Sequence, residues 1–128
     1  MVKNLEISLD RNSDETIYMQ LYNQIVLNII SGNLEKGDTL PSSRIMAGTL
    51  GINFHTVNQA YQRLRENGII VIGKNKKYII ADRQHPGSES KLIERETEIV
   101  NEALAMGYSE NDIIETVKKN NCKQILNL

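Results

Sequence analysis

Only one cysteine, Cys122, occurs in the 128 residues. An internal disulfide is excluded, and a lone thiol suits a reducing compartment, so the expected location is the cytoplasm. No second cysteine is present to resolve an oxidised Cys122, which argues against a redox switch. Trp is absent and Phe occurs once, so a core drawn from the 40% apolar residues must be aliphatic with tyrosines at its edges. No apolar run approaches the roughly 18 residues of a membrane helix, and the opening VKNLEISLD lacks the apolar stretch of a secretory leader. Catalytic chemistry is missing as well. His55 and His85 are isolated, and neither joins Cys122 in the spaced cluster of a zinc site. Neither phosphate-cradling glycine pattern, G-x-x-x-x-G-K-[ST] or G-x-G-x-x-G, appears. These absences predict a non-enzymatic protein with no metal, no cofactor and no membrane partner.

What is present is concentrated between Leu40 and Gly68, LPSSRIMAGTLGINFHTVNQAYQRLRENG. Ser42, behind Pro41, is an N-cap type, and the helix it opens should run to about Leu50, where Gly51 allows a tight turn. A second helix is predicted from about Phe54 to Asn67. Its apolar positions Val57, Ala60, Tyr61 and Leu64 fall at i, i+3, i+4 and i+7, which makes one buried stripe. The opposite side then carries His55, Gln59, Gln62 and Glu66, with Asn58 and Arg63 on the flanks. Amides and an imidazole read base edges better than generic Glu/Lys pairs do. Two helices, a glycine turn and such a face predict a helix-turn-helix.

Charge supports this only locally. The whole chain carries −1, which by itself argues against nucleic acid. Residues 42–77, however, hold Arg44, Arg63, Arg65, Lys74, Lys76 and Lys77 against Glu66 alone, a local charge of +5. Residues 83–128 hold six basic and eight acidic side chains. Phosphates would meet the first of these segments, not the average.

The flanking pattern completes the expected architecture. Leu5, Ile7 and Leu9 alternate with polar residues and suggest a short strand. A first helix from about Thr16 to Ser31 presents Ile17, Leu21, Ile25 and Ile29, widened by Tyr18, Tyr22 and Val26. Gly48 weakens the helix after Ser42 by roughly 1 kcal/mol relative to Ala. Ile69–Ile72 and Tyr78–Ile80 read as a β-hairpin whose tip carries Lys74, Asn75, Lys76 and Lys77, a lysine cluster suited to phosphate. His85-Pro86-Gly87-Ser88 reads as a linker. Two amphipathic helices should follow. The first carries Leu92, Ile93, Ile99, Val100, Ala103, Leu104 and Met106 and ends at Gly107. The second is opened by Ser109 with Asp112 near a capping box and carries Ile113, Ile114, Val117 and Ile125. Helices this short cannot form a core of their own, so their stripes must pack on the domain or on another chain. The predicted organisation is a mainly α (α+β) protein: a winged helix-turn-helix over residues 1–82, a linker over 83–90 and a two-helix segment over 91–128.

The run Gly32-Asn33-Leu34-Glu35-Lys36-Gly37-Asp38-Thr39-Leu40-Pro41-Ser42-Ser43-Arg44 resembles the G-x-L-x-x-G-x-x-L-P-S-x-R signature of GntR-family winged helix-turn-helix regulators. Gly51-Ile52-Asn53, Thr56-Val57 and Ala60-Tyr61 resemble the family's second half, especially its short YtrA-type branch. The similarity covers about residues 16–81. It departs at Phe54 and His55, where the branch commonly has Pro-Asn, at Ile45, where Glu is common, and in the wing, where Asn75 takes a glycine's place. The resemblance implies a homodimer held by the two C-terminal helices and bound to a palindromic double-stranded DNA operator. It makes Arg44 the leading base-reading residue and places Thr56 and Asn58 at contact positions. The helix face adds Gln59 and Gln62, its N-terminus adds Phe54 and His55, and Ser42 and Ser43 would face phosphate. It further implies repression of a transporter-type operon and of the protein's own gene; the small-molecule effector is not indicated. The competing expectation is a winged-helix protein-interaction module without sequence-specific DNA binding.

Overall fold

The computed structural model describes residues 5–82 and 88–123. The chain falls into two compact units, Met1–His85 and Pro86–Leu128.

In the first unit, α1 (Ile17–Ile30), α2 (Ser43–Leu50) and α3 (Phe54–Glu66) are followed by a hairpin of β1 (Ile70–Ile72) and β2 (Tyr78–Ile80). Each helix starts where a side chain can accept an orphan amide. Thr16 accepts from Met19 N, Ser42 from Ile45 N and Asn53 from His55 N. Between α2 and α3, Gly51 takes φ 67° and ψ 36°, the left-handed conformation that turns the chain within three residues. The predicted stripes then meet. Leu21 and Ile25 of α1, Met46 and Ala47 of α2, and Val57, Ala60, Tyr61 and Leu64 of α3 form one buried cluster with Leu34, Leu40, Ile70 and Ile80.

The hairpin pairs Ile70 with Ile80 and Ile72 with Tyr78. Residues 37–40 run along the other edge of β2, a pairing the sequence pattern did not reveal. Gly37 N donates to Ile80 O, Ile80 N to Asp38 O and Leu40 N to Tyr78 O, each at 2.9 Å. The chain before α2 is thereby fixed to the wing, which sets the position of Pro41 and Ser42.

The strand expected at Leu5, Ile7 and Leu9 is not formed. The alternation is nevertheless real, since those three residues are half-buried while Glu6, Ser8 and Asp10 are exposed. Their backbone partners are side-chain amides of α1 rather than another strand. Asp10 N donates to Gln20 Oε1 at 2.8 Å, and Gln20 Nε2 returns to Asp10 O at 2.9 Å. Ser8 exchanges the same pair of bonds with Gln24, and Glu6 with Asn28. The spacings match because two extended residues advance about 6.6 Å and four helical residues about 6.0 Å. Residues 5–10 form a strap held antiparallel to α1 by an amide ladder. Its end places Arg11, whose Nη2 donates to Gly51 O at 2.6 Å across the helix-turn-helix turn.

In the second unit, α4 (Ser88–Ala105) and α5 (Glu110–Lys123) follow each other around Gly107. Ser109 N donates to Asp112 Oδ2 at 2.9 Å and Asp112 N to Ser109 Oγ at 3.1 Å, the expected reciprocal cap. Hydrogen bonding from the Ser109 backbone N–H, and then from its side chain, holds the Asp112 carboxyl below its ordinary range. The linker expected over 83–90 is described only from Ser88, where α4 has begun; residues 83–87, His85 among them, and Ile125 lie outside the described residues.

Gly48 lies exposed in α2, and a Cβ there would meet nothing within 4 Å. Gly48→Ala should raise the stability of the first unit by about 1 kcal/mol, read as a thermal midpoint higher by roughly 4–8 °C.

Candidate nucleic-acid interface

The first turn of α2, the outer face of α3 and the tip of the wing all belong to the first unit. Their side chains interlock at two points. Ser43 Oγ donates to Asn58 Oδ1 at 2.5 Å, joining α2 to α3. That bond occupies Asn58 Oδ1 and fixes which end of the amide faces α2, while Nδ2 keeps its capacity as a donor. It also engages the Ser43 hydroxyl, so what Ser43 has left for phosphate is its backbone N–H at the start of α2. Ser42 keeps its hydroxyl as a donor, because that group only accepts in capping Ile45 N at 3.2 Å.

Beside this link the Arg44 guanidinium stands over the Phe54 ring, 5.1 Å from its centroid. The ring face attracts the cation and limits its rotamers while the fork stays available for hydrogen bonds. Phe54, which departs from the family's usual residue, is therefore the platform for the side chain expected to read a base. Its edge also meets His55, with ring centroids 5.5 Å apart. His55, Gln59 and Gln62 are exposed along α3, whereas Thr56 and Asn58 are half-buried.

The wing tip is a tight turn over Lys74–Lys76. Asn75 has φ 66° and Lys76 φ 58°, consecutive left-handed residues of the kind a type I′ hairpin turn demands. All four residues Lys74 to Lys77 are exposed. Gly73 precedes them because a Cβ there would overlap the Ile79 side chain. Between this tip and the start of α2 lies a groove of ≈ 430 Å³, lined by Asn75, Lys76 and Lys77 on one wall and by Ser42, Ser43 and Ile45 on the other. Beneath it, Tyr61 donates its hydroxyl to Pro41 O at 2.8 Å and packs edge-on against Tyr78 at 5.2 Å. Burial holds the Tyr61 phenol well above its ordinary pKa, so it remains a donor at any physiological pH.

One cation of the +5 segment is used elsewhere. Arg63 stacks over Tyr22 of α1 at 5.1 Å, and its Nε is buried without a hydrogen-bond partner. Asn67 Nδ2 donates to the Tyr22 hydroxyl at 2.8 Å in the same cluster. Sequence reasoning missed this stacking, and it missed Arg11 and the groove position of Ile45. Arg11 gives no local signal, being 40 residues from Gly51. For Ile45 a signal existed: an aliphatic residue at a helix position where Glu is common.

In the second unit, Val100, Ala103 and Ile113 are half-buried, while Leu92, Ile93, Ile99, Leu104, Met106, Ile114 and Val117 are exposed. No helix of the described residues is long and apolar enough to cross a membrane.

Residues 17–77 match the family model described as bacterial regulatory proteins, gntR family. The HTH-type transcriptional repressor YtrA of Bacillus subtilis is 30% identical over 98 residues, which cover 77% of this chain and 72% of that protein. The chain belongs to the GntR family. Within it the likeness is to the YtrA type. The structure of YtrA from Sulfolobus acidocaldarius, a GntR-family transcription factor, superposes with a TM-score of 0.70 at 34% identity, covering 88% of this chain and 94% of that one. A longer relative, the uncharacterized HTH-type transcriptional regulator YdeL of Bacillus subtilis, is 41% identical over 63 residues, but the chain spans only 14% of its length. The winged helix-turn-helix of this GntR-family chain is thus shared with proteins of very different total size.

Ser43→Ala should free the Asn58 amide to rotate. The expected result is a several-fold loss of discrimination at a single base pair, measured by comparing Kd across single-substitution duplexes, with an unchanged salt slope. An equal loss on every duplex would show that Ser43 acts on phosphate instead.

Proposed function

We propose that the protein is a homodimeric, sequence-specific DNA-binding transcriptional regulator acting in the cytoplasm, a repressor of a transporter-type operon and of its own gene. Residues 1–82 would bind DNA, residues 91–128 would dimerise and residues 83–90 would link them. The observation that carries this reading is the convergence, on one unit, of Arg44 on its Phe54 platform, the oriented Asn58 amide and the exposed lysines of the wing. Arg44, Thr56, Asn58, Gln59 and Gln62 are assigned to base edges. Ser42, His55, Lys74, Lys76 and Lys77 are assigned to phosphate. The exposed Leu92, Ile93, Ile99, Leu104, Met106, Ile114 and Val117 give the second unit an apolar face suited to a second copy. Two-fold symmetry would set half-sites about one DNA turn apart, roughly 34 Å.

The test is fluorescence anisotropy on duplex DNA from upstream of the protein's own gene and on a scrambled duplex, at two salt concentrations. Tight binding of the upstream duplex alone, with a steep log–log salt slope, is expected. Lys76→Ala should weaken both duplexes alike and reduce the slope by about 0.9. Salt-insensitive association, or none with any DNA, would favour the protein-interaction module.

A further inference from the structure

Ile45 is 64% exposed although it lies in the first turn of a packed helix. A single exposed aliphatic residue needs no explanation. This one does, because it shares the α2–wing groove with the half-buried Pro41 and Tyr78, an apolar strip flanked by Ser42 and the lysines at 76 and 77. None of the groove's lining residues is acidic. Its neighbour Arg44 turns the other way, towards Phe54 on α3. The first turn of α2 therefore has two sides, a cationic one beside the recognition helix and an apolar one beside the wing.

We infer that this groove seats the sugar–phosphate strand of DNA with a deoxyribose C2′ edge against Ile45, so that the protein rejects a 2′-hydroxyl at that nucleotide. The inference rests on the DNA-binding reading above and deepens it. Cations and a hydroxyl donor suit phosphate oxygens, and their alternation with apolar surface suits the C–H-rich sugar between phosphates. A base edge offers donors and acceptors that Ile45 and Pro41 would leave unpaired, whereas C2′ of deoxyribose offers only C–H. A ribose there would bury its 2′-hydroxyl against this strip without a partner. The 2′-hydroxyl is the group by which proteins separate RNA from DNA at a given position. Ile45 is thus the residue that sets sugar identity, while Arg44 and Asn58 set base identity.

The experiment begins with selection of bound sequences from random duplexes by the full chain. The enriched duplex is then scanned twice, with a single ribonucleotide at each position and with uracil for each thymine. Affinities are measured for wild type, Ile45→Ala and Ile45→Thr, and melting curves confirm that the variants fold. One ribonucleotide per half-site should weaken wild type about 10-fold. The same change should weaken Ile45→Ala less than about 2-fold, and Ile45→Thr, which offers a hydroxyl partner, should be similarly tolerant. Uracil should affect wild type and Ile45→Ala equally. A ribonucleotide penalty that persists in Ile45→Ala, or none anywhere, overturns the sugar contact. A uracil penalty that vanishes in Ile45→Ala also overturns it and makes Ile45 a reader of the thymine methyl. If selection enriches no sequence, the DNA-binding reading itself fails; an enriched sequence without coupling to Ile45 removes only the sugar contact.

Discussion

Asn28→Ala is expected to destabilise the first unit by about 3 kcal/mol, lowering its thermal midpoint by more than roughly 10 °C. Asn28 is only 5% exposed and uses both ends of its amide. Nδ2 donates to Glu6 O at 3.2 Å and to Gln24 O at 2.7 Å, while Oδ1 accepts from Glu6 N at 3.4 Å and from Asn33 Nδ2 at 3.1 Å. Alanine would strand the Glu6 amide and carbonyl in a partly buried place and open a small void beneath the strap. Gln24→Ala removes the middle rung of the same ladder, yet that rung is exposed and water can replace it. A loss of about 0.5–1 kcal/mol is expected there. Equal losses from the two substitutions would refute the ladder as the strap's anchor.

Asn28→Asp sharpens the test because it keeps the shape and removes the donors. The new carboxylate would face the carbonyl oxygens of Glu6 and Gln24, which favour its neutral, proton-donating form. Its pKa in the folded state should therefore lie above the unfolded value of about 3.9. A group raised on folding contributes its stability below the unfolded pKa and loses it as pH rises through the folded one. The variant should come closest to wild type near pH 4 and fall furthest behind at pH 7, as read from urea midpoints.

The strap also shows where sequence reasoning stops. Its alternation of Leu5, Ile7 and Leu9 was legible, because one face of an extended segment must be buried whatever it pairs with. Its partner was not legible, because Gln20, Gln24 and Asn28 look like polar residues on a helix side and only geometry turns them into a strand edge. Helix bounds are readable from the apolar period and, at Ser42, from the cap, while the Thr16 and Asn53 caps, acting over three and two residues, emerge only from the structure. Arg63, placed on a flank and counted in the +5 segment, stacks on α1 instead, because its partner Tyr22 is 41 positions away and charge arithmetic carries no direction. The wing was visible in composition, but the short pairing of residues 37–40 with β2 was hidden beneath Gly37 and Asp38, which have no strand preference.

Arg44→Ala should weaken binding of the preferred duplex by about 1–3 kcal/mol, roughly 5- to 150-fold, and flatten discrimination at one base pair. Arg44→Lys should restore little of this, because an ammonium offers neither the bidentate fork nor the flat face that rests on Phe54. The ring supplies the means of assigning the effect. Phe54→Leu keeps apolar bulk at the start of α3 and removes the quadrupole beneath the guanidinium, so it should weaken binding by about 0.5–1 kcal/mol. If Phe54 acts by holding Arg44, the double variant should bind no worse than Arg44→Ala alone. Fully additive losses would mean that Phe54 touches DNA independently. The cycle thus decides whether Phe54 at the start of α3 gives this GntR-family chain a second DNA contact or a firmer grip on the first.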